Sequence, residues 1–156
     1  MDQSILRKVA GKFATGVTVV NTIDDDGVIQ GVTANSFVSI SMSPPLVGFS
    51  LMESGLFLSL LGKGSKLGIN ILSSHQKSTS NRFAGINDES TDEDHFDIKN
   101  GHPILSGSIA WYAVEVEDLI PMGDHIFVLC KIIDLEAFDN EPLIYYSGYK
   151  SIGETI

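Results

Sequence analysis

The chain has 156 residues, 43% of them apolar and 19% charged, which suits one globular domain with a proper core and excludes a disordered segment. Its formal charge of −10 argues against nucleic acid and against an anionic membrane surface, since both partners need clustered Lys and Arg. No apolar run is long enough to cross a bilayer, MDQSILRKVAGKF lacks a secretory apolar stretch, and the lone Cys130 cannot form an internal disulfide. A single cytoplasmic domain over residues 1–156 is therefore expected. The net charge still allows an anionic small ligand, because salt screens the far field within about 8 Å and local cations decide.

Residues 4–13 place Ile5, Leu6, Val9 and Phe13 on one helical stripe, predicting a short amphipathic helix laid on the body. Gly16 ends that pattern. Val17–Ile23 is β-branched and reads as a strand, and Asp24-Asp25-Asp26-Gly27 reads as a hairpin turn of solvated aspartates. Val28–Ala34 returns as the partner strand. Next comes a small-polar elbow, Thr33-Ala34-Asn35-Ser36, followed by Ser39–Met42, the helix-forbidding Ser43-Pro44-Pro45 and a buried strand over Leu46–Leu51. Ser54 is placed to cap a short helix over Gly55–Leu61. Lys66–Leu72 predicts a strand, Ser74–Ala84 a polar helix, and residues 85–101 an acidic, solvated and mobile loop. Strands are expected over Ile109–Glu117, Ile126–Leu135 and Leu143–Tyr146. About seven strands joined without regular crossover helices point to a mainly β, antiparallel barrel with a few peripheral short helices.

Several familiar chemistries find no support. Gly62–Gly68, GKGSKLG, has its third glycine one residue late and opens into a strand, so a dinucleotide fingerprint fails. There is no Walker loop and no Gly-x-Ser-x-Gly nucleophile elbow. His75, His95, His102 and His125 show no paired metal-ligand spacing, and loop 88–97 lacks the glycine and terminal glutamate of a calcium loop.

Three features remain. The elbow offers main-chain amides and hydroxyls with little bulk, which suits a flat, polar-edged ligand with an anionic tail and equally suits an ordinary turn. Gly123-Asp124-His125 puts an imidazole at a strand mouth, either to contact a ligand or to fix the strand entrance in an Asp–His pair. Arg82-Phe83 sets a guanidinium beside a ring, either to grip a phosphate over an aromatic floor or as a surface arginine flanking a core phenylalanine. Cys130 reads as a small core residue, and Trp111 and Tyr112 as barrel-wall or subunit-contact aromatics.

The strings FATGVTVVNT, GVTANSFVSIS-x-SPPLVGFSL, INIL, RFA, GHPILSGSIAW, GDH and PLIYYSGY together resemble the flavin reductase family, whose members include the reductase components of two-component flavin monooxygenases. The match runs from Phe13 to about Tyr149. The resemblance implies a split β-barrel, a homodimer, FMN or FAD as the flavin, NADH or NADPH as the hydride donor, and a partner monooxygenase receiving reduced flavin. By position it implies Thr33, Ala34, Asn35 and Ser36 cradling the flavin, with Ser50 and Leu51 along its ring. Arg82 and Phe83 would serve its phosphate side and ring surroundings, His125 would lie near the nicotinamide, and Tyr149 on the closing wall. Three departures stand out: Asp94-His95-Phe96 in place of Asp-Arg-Phe, Cys130-Lys131 after the GDH strand in place of glycine and an acid, and a shortened YYSGYK ending. A non-enzymatic flavin carrier or redox-sensing dimer on the same barrel is the competing class.

Overall fold

The computed structural model describes residues 1–150, with Tyr149 and Lys150 described by their backbone alone. Helix α1 spans Gln3–Ala10, where Asp2 Oδ1 accepts the Ser4 and Ile5 N–H groups at 2.8 and 3.4 Å and so caps the first turn. Strands β1 (Thr15–Gly16), β2 (Thr18–Ile23) and β3 (Ile29–Ala34) follow. Between β2 and β3, Asp24 Oδ1 accepts from Asp26 N–H and Val28 N–H, and Gly27 takes a φ of +78°. Asp24 is thus a structural member of the turn and not merely solvated.

Strands β4 (Val38–Met42) and β5 (Pro45–Met52) lead to a short 3-10 helix over Leu58–Leu60. The longer helix expected over Gly55–Leu61 does not form, and no side chain caps the short one. Strand β6 (Lys66–Ile71) precedes helix α2 (Lys77–Phe83), which starts later than expected. The acidic stretch contains a hairpin that charge had concealed: β7 (Phe96–Lys99) pairs with β8 (His102–Leu105) across Asn100-Gly101, whose φ values are +51° and +87°. An Asn-Gly pair is a strong two-residue hairpin signal, and it was available in the sequence. The chain closes with β9 (Ala110–Met122), β10 (His125–Ala137), β11 (Ile144–Tyr145) and β12 (Tyr149–Lys150).

Seven strands form the main sheet in the order β3-β2-β6-β9-β10-β5-β4, and every pairing is antiparallel. Val20, Phe49, Leu67, Ile69, Val114 and Val128 project from five of these strands into one core and are completely buried. Each such side chain stabilises the fold by roughly 1.5–3 kcal/mol relative to exposure. Cys130 belongs to the same core, and its burial pushes the thiol up to about 12. Trp111 is buried against Ile104 and Ala113 with the Lys99 ammonium 4.7 Å from its ring centroid, so it serves the chain's own interior.

Strands β3 and β4 are consecutive in the chain yet lie at opposite ends of the sheet. The sheet curls until β3 meets β5, and residues 35–37 cross the gap. There Ser36 Oγ donates to Ser50 O and accepts from Ser50 N–H, both at 3.0 Å. One hydroxyl thereby stitches the split where ladder bonds are missing. The apolar stripe of α1 does not lie on the body as expected, since Ile5, Leu6, Val9 and Phe13 are all exposed.

Candidate functional site

The elbow forms because β3 must leave its ladder with β2 to cross the split. Thr18 Oγ1 donates to Ala34 O at 2.7 Å, fixing the last residue of β3. Thr33 Oγ1 donates to Ser80 O of α2 at 2.6 Å. A hydroxyl has a single proton, so Thr33 and Ser36 have both spent theirs on carbonyls and can offer a ligand only acceptor lone pairs. Donation is left to the main chain and one carboxamide: among the described residues, the N–H groups of Asn35 and Ser36 and the Asn35 side-chain amide take no partner.

Beside the elbow lies a cleft of about 390 Å³. Thr33, Ala34, Asn35, Ser36, Ser50, Leu51 and His125 all line it, so seven of the residues singled out in the sequence meet at one cavity. Leu51 and Phe57 supply an apolar floor, and Met52 and Leu56 stand exposed at its rim. Phe57 and Leu56 were not anticipated, although their place six and five residues after Leu51 makes them natural continuations of the same wall. An apolar floor with unpaired N–H groups at one edge fits a flat ring system that carries acceptors on its rim.

His125 opens β10 and pairs across β9 with Met122 and across β5 with Met52. Its Nδ1 lies 2.7 Å from Asp124 Oδ1. The carboxylate can only accept, so Nδ1 carries the proton and Nε2 is left for other partners. The hydrogen bond from His125, with its charge, holds the Asp124 carboxyl below its ordinary range.

Arg82 and Phe83 are not brought to this cleft. Arg82 Nε and Nη2 donate to Asp94 Oδ2 and Oδ1 at 2.9 and 2.8 Å, a bidentate fork, and Thr79 Oγ1 donates to Asp94 Oδ1 at 2.7 Å. Burial alone would raise Asp94, but the hydrogen bonds from Arg82 and Thr79 and the charges of Arg82 and His95 outweigh it and lower the carboxyl. Asp94 is therefore a fixed anion and not part of a solvated acidic face. Arg82 borders a different, polar cleft of about 300 Å³ with His75, Glu93 and His95. Phe83 packs edge-on to Phe96 and closes over Gly31, where a Cβ would fall 2.6 Å from its ring.

Of the other histidines, His102 is buried with Nδ1 3.0 Å from Leu67 O and serves the core. Among the described residues no group of three His, Cys, Asp or Glu side chains is placed to hold a metal. None of their helices is long and apolar enough to cross a membrane. The Tyr149 side chain lies outside the described residues; its backbone pairs with Tyr145.

Comparison with known proteins bears on this arrangement directly. The model of the flavin reductase like domain matches residues 10–153. The chain belongs to the flavin reductase-like family. An NADH-dependent flavin reductase from a Rhodococcus species is 36% identical, over 92% of this chain and 82% of that protein. The solved flavin reductase PheA2 superposes with a TM-score of 0.90 at 34% identity, over 99% of this chain and all of the other. The styrene monooxygenase flavin reductase of Pseudomonas putida S12 superposes with a TM-score of 0.85 at 32% identity, over 96% and 98%. A Rhizobium meliloti (strain 1021) relative is 38% identical, but this chain spans only 45% of its length.

Proposed function

We propose that this chain is a flavin reductase that takes a hydride from NADH and delivers it to FMN or FAD. The observation that carries the reading is the single cleft where the elbow, Ser50, Leu51 and His125 meet. The chain's own residues would do four things there. Leu51 and Phe57 provide the apolar surface against which a ring lies, and the elbow N–H groups meet its acceptor edge. Thr33, its hydroxyl proton committed to Ser80, would have only an acceptor lone pair to offer a ring N–H. His125, oriented through Asp124, offers Nε2 to the nicotinamide end of the donor. A bound flavin supplies the hydride-accepting chemistry itself, and stacking the two rings provides proximity.

NADH is favoured over NADPH because among the described residues no Lys or Arg lines the cleft to meet the additional phosphate of NADPH. The same lack of cations supports an exchangeable flavin, held moderately and released to a monooxygenase partner. The exposed stripe of α1 and the exposed Val38, Ile40 and Met42 of edge strand β4 support assembly as a homodimer. We read residues 1–156 as one such domain, acting in the cytoplasm, where the unpaired Cys130 stays reduced.

Steady-state oxidation of NADH tests the reading. The rate is expected to require added flavin, to scale with protein, and to fall when NADPH replaces NADH. Flavin that binds without supporting nicotinamide oxidation would make the chain a carrier instead.

A further inference from the structure

We propose that Arg82 is a positioning residue for the elbow and not a contact to the flavin phosphate: it holds Asp94 against α2, and α2 in turn presents the carbonyl that sets Thr33. The proposal rests on the elbow being the flavin site. Helix α2 has only seven residues and no side-chain hydrogen bond at its N-cap, so it is too short to persist alone. Ties from outside hold it. Gln76, at its N-terminal edge, accepts from Ser73 N–H and donates to Ser106 O, at 2.9 and 3.0 Å. At the other end the Asp94 carboxylate takes two bonds from Arg82 and one from Thr79, while Asn81 Nδ2 donates to Asp88 Oδ2 at 2.8 Å.

Between these anchors lies Ser80, wholly buried, whose carbonyl accepts both the helical Ala84 N–H at 3.0 Å and the Thr33 hydroxyl at 2.6 Å. Arg82 therefore reaches the cleft through three links: carboxylate, helix and carbonyl. Two of its nitrogens are committed to Asp94, and it does not border the elbow cleft. Only the buried Nη1 takes no partner among the described residues. A direct grip on phosphate would have to use that arm or break the fork.

Binding of FMN and of riboflavin, which lacks the phosphate, separates the two roles. In Arg82→Gln and Asp94→Asn, both ligands are expected to weaken by the same factor, about five- to tenfold, the size of one lost or misplaced hydrogen bond. The kcat at saturating flavin is expected to stay near wild type. On a Thr33→Val background, Asp94→Asn should add little, because the link it acts through is already cut. A loss confined to FMN in Arg82→Gln, or tighter FMN binding in Asp94→Asn as the freed guanidinium turns to the phosphate, would overturn the proposal. So would unchanged affinity for both ligands with only a lowered Tm, which is what a merely structural pair would give. Should Arg82→Gln not fold, Arg82→Lys, which keeps the charge and loses the fork, makes the same comparison. Wild-type protein that binds neither FMN nor riboflavin would refute the functional reading itself, and the positioning role with it.

Discussion

The elbow has a sealed side and an open side, and they are built from different groups. On the sealed side side-chain hydroxyls are consumed: Thr18 on Ala34, Thr33 on Ser80, Ser36 on Ser50. Gly31 lets Phe83 close over the strand from behind. On the open side, two main-chain N–H groups, one carboxamide and His125 lack such commitments among the described residues beyond the Asp124 contact, and the Met52 and Leu56 rim is exposed. Thr33 and Ser36, which look like ligand contacts in the sequence, set shape instead, and the donors left open among the described residues are the Asn35 and Ser36 N–H groups and the Asn35 carboxamide. Preorganised donors of this kind act without rearranging when a ligand arrives.

The sealed side is most simply broken at Gly31. A methyl there would sit 2.3 Å from Asn21 Nδ2 and 2.6 Å from the Phe83 ring, so α2 has to retreat. Gly31→Ala is expected to destabilise the protein by about 1–3 kcal/mol, as overpacked sites do. For a domain of this size that lowers Tm by roughly 3–10 °C. Flavin affinity should drop with it, because displacement of α2 carries the Ser80 carbonyl away from Thr33. A thermal melt and a flavin titration on the same sample check both halves. An unchanged Tm would mean that the sealed side is looser than its contacts imply.

Much of this was legible in the chain, for reasons that are themselves local. β-Branched runs and the Asp-Gly turn fix β2 and β3 without reference to anything distant, whereas β9 runs on to Met122, past the Glu117 at which the sequence pattern ends it. The convergence of residues 33–36, 50–51 and 125 on one cleft followed from family resemblance more than from periodicity. What the sequence hid depends on tertiary placement. The partner of Arg82 lies twelve residues away in a stretch holding several acids, and nothing local says which carboxylate is chosen. Helical spacing showed that α1 has an apolar stripe, but not what covers it. The β7–β8 hairpin was missed because neighbouring charges outweighed a short alternating run, although Asn100-Gly101 announced the turn.

The open side is probed with His125→Ala. Among the described residues only Asp124 engages this imidazole, whose side chain keeps 39% of its surface exposed, so removing it should leave Tm nearly unchanged. The expected result is a KM for NADH raised about tenfold, the equivalent of ~1.4 kcal/mol, with kcat and flavin affinity much less altered. Asp124→Asn should give a smaller rise in the same direction, since the ring keeps its place but loses the carboxylate that selects its tautomer. If NADH kinetics match the wild type in both variants, the open side does not hold the nucleotide at this residue.

The smallest effect concerns pH and sets the two sides apart once more. The folded protein depresses Asp94, so the stability of its fork with Arg82 is fully present above the ordinary carboxylate pKa of about 3.9 and is lost only as pH falls through the lower folded value. Between pH 5 and 8 the Asp94 carboxylate therefore stays ionised and adds no pH dependence of its own to flavin binding. Riboflavin titrations serve best, because FMN carries a phosphate that ionises in the same range. Wild type and Asp94→Asn should show a constant ratio of riboflavin affinities from pH 5 to 8, converging only in acid as the wild-type carboxyl takes up its proton. A ratio that drifts near neutrality would show that Asp94 is not the settled anion its three hydrogen bonds describe.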